Sequence, residues 1–322
     1  MKYRQLGATD LRPSVIGFGG FAIGGTDWSG TSDGDSRRAL LAALDHGVNF
    51  FDTSDAYGWG RSEELIGEVL SPHRSEVLIA TKGGVDTQAR DYSQKRFDRR
   101  FLEASLDASL RRLRTDYIDL YQLHSPHADD LDDDVRRFVE DVAVSGRARY
   151  VGVSIADEAS AWRAIELSLG SALQVFFNLL EQRLRPRVFP SAARAGVGII
   201  ARVPLYSGVL SGRYTESTIF PPDDHRSRWD PAVLRLALCR ASELSRRFAT
   251  NGRSLAQVAL AFVLAHDDVA TVIPGAKSAA QVKANVDALD VTIAPHEVKA
   301  MHEFYDTCVA EDHHRQYEVQ AR

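Results

Sequence analysis

Cysteine is scarce in this chain: two in 322 residues, Cys239 and Cys308, far apart in sequence. That separation gives neither metal-ligand spacing nor a disulfide framework, which fits a reducing cytosol. Long apolar runs are absent too. None approaches the roughly 20 residues that span a bilayer, and the start, MKYRQLGATDLRPSV, lacks the apolar core of a signal peptide. There is no excess of positive charge: Lys and Arg number 39 against 44 Asp and Glu, a net charge of −5. Neither nucleic acid nor an anionic membrane is therefore an expected partner. The dinucleotide fingerprint G-x-G-x-x-G is missing as well. GFGG at 17–20, followed by Phe21, tempts that reading, but Ala22 stands where the last glycine belongs.

What is present is an ordinary globular composition, 44% hydrophobic and 26% charged, long enough to bury a large core without staples. The start reads as a small β-hairpin (residues 1–14) turning around Gly7 to Asp10, a cap for one end of the fold. Short strand-like runs follow: VIGF (15–18), VNFFD (48–52), EVLIATK (76–82), YIDLYQLH (117–124), ARYVGVS (148–154), ALQVFF (172–177), VGIIARV (197–203) and VATVIP (269–274). Most are near-continuously apolar, as parallel strands buried on both faces are. Helical stretches lie between them. SRRALLAALDHG (36–47) closes on a glycine C-cap, and FDRRFLEASLDASLRRL (97–113) repeats apolar residues every three or four. DDDVRRFVEDVAVSG (132–146) opens on three aspartates that suit a helix dipole, and SAAQVKANVDAL (278–289) is the last helical unit expected. Eight alternating units allow an open doubly wound sheet or a closed barrel. The count, the regular spacing and the lack of a mid-chain linker favour one single-domain α/β (β/α)8 TIM barrel over residues 1–310, with a polar tail at 311–322. SGRYTESTIFPPDDHRSRWD (211–230) is too long for a simple connection and is a candidate lid or binding loop.

In such a barrel the chemistry sits at the C-terminal ends of the strands. Strand two ends at Asp52, with Tyr57 in the loop after it; strand three ends at Lys82; strand four ends at His124. Adjacent strands lie about 4.8 Å apart, so these groups can meet. An ammonium beside a phenol favours release of its proton, so Lys82 is the expected activator of Tyr57. A buried lysine needs a counter-charge, and Asp52 can supply it. His124 can hydrogen-bond and orient a carbonyl oxygen. Such a set is a tuned general acid beside an oxyanion site, suited to carbonyl reduction once a hydride donor is bound.

The segments FDTSDAYGWGRSEELIGEVL, ATKGG and YIDLYQLH resemble the signature segments of the aldo-keto reductase superfamily, and the likeness runs from YRQLGATDLRPSVIGFGG to VIPGAKSAAQVKANVDAL. It is closest to the bacterial NADPH-dependent branch related to potassium-channel β subunits. The resemblance implies a catalytic tetrad of Asp52, Tyr57, Lys82 and His124, no metal, and NADPH lying across the barrel mouth. It implies cofactor contacts from Gly20 and Phe21 at the nicotinamide end, with Asp52 beneath. Ser154 and Gln174 would hold the carboxamide. Arg202, Val203, Pro204, Leu205, Ser207 and Gly208 would line the ring and pyrophosphate, with Arg213 near the phosphates. Gly275, Lys277, Gln281 and Asn285 would grip the adenosine phosphate, where a helix N-terminus meets a cation. Three positions depart from the family's usual residues: Ile155, Arg202 at the ring-stacking position, and Ser278. With Lys277 as the remaining clamp for a 2′-phosphate, NADH is possible beside NADPH.

The implied activity is reduction of a small aldehyde or ketone, or the reverse oxidation of an alcohol or sugar hydroxyl. A nicotinamide-binding sensor or regulatory subunit is the alternative. The acidic run DDLDDD (129–134) reads as a solvated helix start rather than a cation site, and His127, His313 and His314 as surface residues. Trp28, Trp59 and Trp229 belong to loops around the rim, as pocket walls or as ordinary loop packing. The loops 23–32, 85–95 and 211–230 would set the substrate. The outer helices read the same whether or not copies associate.

Overall fold

The computed structural model describes residues 1–25, 28 and 30–310; the tail 311–322 lies outside the described residues. The first half of the chain alternates β1 (Phe18–Gly19), α1 (Asp33–Asp45), β2 (Phe50–Asp52), α2 (Arg61–Leu70), β3 (Leu78–Gly83), α3 (Arg99–Leu113), β4 (Ile118–His124) and α4 (Asp133–Ser145). The second half continues with β5 (Ala148–Ser154), α5 (Glu158–Glu166), β6 (Ala172–Phe176), α6 (Arg185–Arg194) and β7 (Gly198–Arg202). Two helices, α7 (Pro231–Phe248) and α8 (Leu255–Leu264), then precede β8 (Val269–Ile273), and α9 (Ala279–Val286) and α10 (Pro295–Cys308) follow it.

The strands form one parallel sheet in chain order. Ile16 bridges Val272 and Gly19 bridges Gly275, both parallel. Gly17 N–H donates to Val272 O at 2.8 Å and Gly19 N–H to Pro274 O at 3.0 Å, so β8 returns to β1 and the barrel closes. The VIGF run therefore divides its pairing: its first residues bond towards β8, while Phe18 pairs with Phe51 of β2. The aspartate run does start a helix, with Asp132 as the cap accepting from Asp134 N and Val135 N. SAAQVKANVDAL is not the last helical unit, because α10 follows it. Pro295 opens that helix, and Met301, Phe304 and Tyr305 bury its inner face, a spacing that was readable as helical. Among the described residues no helix is long and apolar enough to cross a membrane.

Side chains alternate across a strand, so residues two apart share the barrel interior. The lower interior is apolar: Phe50, Ala80, Leu120, Ala172 and Ile200 form one buried cluster with Leu6 and Leu11 of the hairpin. The hairpin turns tightly, with Leu6 N–H donating to Leu11 O at 3.0 Å. Its Gly7 has φ +55°, and a Cβ there would fall 2.4 Å from the backbone nitrogen of Gly198, so only glycine lets the hairpin sit this close to β7. A larger core fills the space between barrel and helices. Two positions further up each strand, the interior turns polar.

Candidate active site

β2, β3, β4 and β6 deliver Asp52, Lys82, Gln122 and Gln174 to one layer, and all four are buried. Lys82 Nζ donates to Asp52 Oδ1 at 2.6 Å, to Thr53 O at 2.9 Å and to Tyr57 Oη at 3.2 Å. Its three donors are thus all used. Burial works against the Lys82 ammonium, but Asp52 and Tyr57 beside it outweigh that and raise its pKa. The other carboxylate oxygen, Asp52 Oδ2, accepts from Gln122 Nε2 at 3.0 Å and Gln174 Nε2 at 2.7 Å. The charge pair is therefore fully hydrogen-bonded, the condition under which a buried pair holds its geometry. Tyr57 is half-buried, with its ring 5.0 Å from Phe21 and 5.8 Å from His124, centroid to centroid.

The His124 ring meets the phenol ring edge-on. Burial, then Lys82, Arg202 and Lys95, hold its imidazole neutral, with a pKa well below the usual histidine value. Its Nδ1 is 3.0 Å from Ser54 Oγ. That hydroxyl accepts from Ala56 N–H at 3.1 Å and lies 3.1 Å from Asp55 Oδ1, with Lys82 O the far neighbour at 3.5 Å. A hydroxyl has one proton and two lone pairs. Once Ala56 takes a lone pair, Ser54 has one proton and one lone pair left for His124 and Asp55. If Asp55 is ionised it takes the Ser54 proton, and His124 carries its own proton on Nδ1. If Asp55 is protonated it donates to Ser54, Ser54 donates to Nδ1, and the imidazole proton sits on Nε2. Burial and then Glu63 push the Asp55 carboxyl up to about 7, against Ser105, Ser54 and Arg112.

The tetrad opens into a cleft of about 1120 Å³ across the barrel mouth. Asp52, Tyr57 and His124 line it, as do all the cofactor positions expected from sequence except Ser154, which is fully buried. Ser154 and Gln174 are register partners on β5 and β6. Ser154 Oγ and Gln174 Oε1 are both buried without a hydrogen-bond partner among the described residues. A hydroxyl that can donate beside an amide oxygen that accepts is the complement of a primary carboxamide, and unpaired buried polar atoms are costly enough to call for one. The residues present therefore fit a nicotinamide. The loop after β7 holds Val203, Tyr206 and Ser207 at φ +53°, +48° and +51°, left-handed strain of the kind found at ligand sites. At the far end Ser278 caps α9, and Gln281 Oε1 accepts from Lys277 N–H at 2.7 Å. Lys277 Nζ reaches over the Trp28 ring at 5.6 Å.

Two expectations take a different form. A Cβ on Gly20 would lie 2.7 Å from Ser62 Oγ and 2.9 Å from Asp52 O, so packing within the protein itself requires that glycine. Arg202 does line the cleft, yet its guanidinium sits over the Phe176 ring at 3.8 Å and donates to Ile155 O at 3.0 Å. Trp28 and Trp229 wall the cleft, whereas Trp59 stacks on Tyr92 behind that wall. Of the 211–230 segment, Arg226 is the anchor. It forms a two-pronged pair with Asp224 at 2.7 and 2.6 Å, donates to Ser207 O at 3.0 Å and covers Phe220 at 3.9 Å. Sequence reasoning passed over Gln122, Ser54, Asp55, Lys95 and His225. Gln122 had a usable signal, since it shares the inward face of β4 two residues before His124.

Residues 15–306 match the model of the aldo/keto reductase family, and the chain belongs to that family of oxidoreductases acting on small carbonyl compounds. It is 28% identical to aldo-keto reductase YhdN of Bacillus subtilis (strain 168) over 97% of this chain and 96% of that protein. It is 29% identical to a probable voltage-gated potassium channel subunit beta of Arabidopsis thaliana, over 90% of this chain and 92% of that one. The holo form of aldo-keto reductase AKR11C1 from Bacillus halodurans superimposes with a TM-score of 0.81 at 32% identity, covering 94% of this chain and 96% of that chain.

Proposed function

We propose that this protein reduces aldehydes or ketones with NADPH, tolerating NADH, and can run the reverse oxidation of an alcohol or sugar hydroxyl. The observation that carries the reading is Lys82 Nζ bonded at once to Asp52 and to the Tyr57 hydroxyl, beneath an open cleft. When bound, the nicotinamide supplies the hydride that adds to the carbonyl carbon. As the C=O π bond breaks, Tyr57 gives its proton to the oxygen, and the C–O group leaves as an alcohol. The phenolate left on Tyr57 is stabilised by the Lys82 ammonium, and Asp52 keeps that ammonium in place. His124 donates from Nε2 to the carbonyl oxygen and fixes its position. Ser154 and Gln174 would hold the carboxamide, the 203–208 loop and Arg213 the pyrophosphate, and Lys277 the adenosine end.

The competing reading, a nicotinamide-binding regulatory subunit, makes no use of a phenol coupled to a buried ion pair. The test is the decay of nicotinamide absorbance with 4-nitrobenzaldehyde, NADPH and NADH run in parallel. Aldehyde-dependent decay, faster with NADPH, is expected. Tight NADPH binding with no turnover of any carbonyl or alcohol would sink the enzymatic reading and favour the regulatory one.

A further inference from the structure

The cleft is rich in cations, and two of them have no part in the chemistry above. Lys95 comes from the loop after β3, where an antiparallel bridge joins it to Val85. Its ammonium donates to Ser125 O at 2.8 Å. Arg202 starts on β7 but reaches back across Phe176, donating to Ile155 O and, at 3.4 Å, to Ser125 Oγ. Both cations therefore converge on Ser125, the residue next to His124. Ser125 holds its place in a left-handed conformation, φ +52°, with its N–H on Ser154 O at 2.8 Å.

We infer that the carbonyl compound reduced here carries an oxyanion group, a carboxylate or phosphate ester, seated between Lys95 and Arg202 beside His124. This rests on the carbonyl-reducing reading of the site and names the substrate class within it. Two like charges drawn to one residue repel, and an anion between them relieves the repulsion. The Lys95 ammonium already shows the strain: burial, and then Arg202, lower its pKa. Asp130 and Asp157 oppose that shift, but each is held elsewhere, Asp130 by His127 N–H and Asp157 as the cap of α5. Among the described residues, the carboxylates lining the cleft are committed too. Asp52 serves Lys82, and Asp230 caps α7.

The cofactor's own phosphates are not the anion in question. The positions that suit them follow β7 and β8, whereas Lys95 follows β3, which stands on the opposite side of an eight-stranded ring. The seat lies at Ser125, after β4, which Lys95 reaches from β3 and Arg202 only by leaving the end of β7.

The test compares 4-carboxybenzaldehyde with its methyl ester, at saturating NADPH, in the wild type and in Lys95→Met and Lys95→Arg. The wild type is expected to prefer the charged aldehyde at least tenfold in kcat/KM. Lys95→Met is expected to lower that preference about tenfold or more, the usual size of a lost charge-assisted hydrogen bond, and Lys95→Arg to restore most of it. Added salt should raise KM for the charged aldehyde only. Equal use of both aldehydes, or an equal loss on both in Lys95→Met, overturns the anion site while turnover of the ester keeps carbonyl reduction standing. If neither aldehyde is reduced, it is carbonyl reduction that falls. Calorimetric binding of unreactive benzoate against benzamide to the NADPH complex then decides the anion site alone. A benzoate preference lost in Lys95→Met supports it, and no preference overturns it.

Discussion

A single residue separates Phe50 from Asp52 on β2, Ala80 from Lys82 on β3, Leu120 from Gln122 on β4 and Ala172 from Gln174 on β6. Each pair points into the same barrel, yet the lower member sits in a sealed apolar cluster with the hairpin and the upper one in a hydrogen-bonded polar layer. One pleat step along each of these strands divides the part that holds the barrel together from the part proposed to do the chemistry. The apolar layer tolerates small misfits at a graded cost in packing. The polar layer does not, because its buried ion pair and the amides around it are held by one another's hydrogen bonds. The upper layer is therefore the place where one substitution removes both structure and function.

Lys82→Met should test that difference most severely. It leaves Asp52 buried without its counter-charge, a loss of about 3–5 kcal/mol, and it removes the stabiliser of the phenolate. Urea unfolding should show a large drop in midpoint, and the folded fraction should have no measurable turnover. Tyr57→Phe should separate the two effects: kcat falls roughly a thousandfold, the size of a lost general acid, while the unfolding midpoint stays near the wild type and NADPH still binds. Leu120→Ala, one step below Gln122, should do the reverse. It should cost about 3 kcal/mol of stability with kcat of the folded enzyme within about twofold. If kcat falls along with stability in that variant, the layers are coupled and the division drawn above is wrong.

The barrel was legible because most of its strands are near-continuous apolar runs, as a sheet covered on both faces requires, and eight of them alternate with helices. The meeting of the proposed catalytic quartet was legible for a related reason: Asp52, Lys82 and His124 each end such a run, where a barrel exposes its chemistry. What surrounds them was not. Gln174 and Asp52 are 122 positions apart in sequence yet share a hydrogen bond, and nothing local announces it. The role of Arg202 was hidden because a long guanidinium can cross two strands, from β7 to Ile155 and Ser125, before it finds its acceptors. Arg226 was hidden inside a segment whose turn formers announced only a loop. Ser54 and Asp55 lay in plain view within FDTSDAYG, but their meaning depends on the count of protons around one hydroxyl, which needs the distances.

That count gives the smallest expected effect and the most specific one. In the arrangement around Ser54, His124 offers its proton from Nε2 only while Asp55 is protonated. Activity should therefore be full at pH 6 and decline as pH rises through the Asp55 carboxyl at about 7. By pH 8 the loss should be roughly tenfold, one pH unit past that midpoint. The groups facing Asp55 are Glu63, Arg112, Ser105 and Tyr121, so the decline belongs to the carboxyl as this cluster sets it. Stability follows the same sign: the folded carboxyl titrates well above the ordinary aspartate range, so folding is favoured most at low pH and has lost that contribution once pH has climbed through about 7. Asp55→Asn fixes the outcome. Ser105 Oγ donates to Asp55 Oδ2 at 2.7 Å, which places the amide oxygen there and turns the amide nitrogen to Ser54 as a permanent donor. The kcat profile of Asp55→Asn should be flat from pH 6 to pH 8, level with the wild type at pH 6 and about tenfold above it at pH 8. A decline that persists unchanged in Asp55→Asn would assign the titration to another group, and Ser54 would then be a spacer rather than the element that sets the His124 proton.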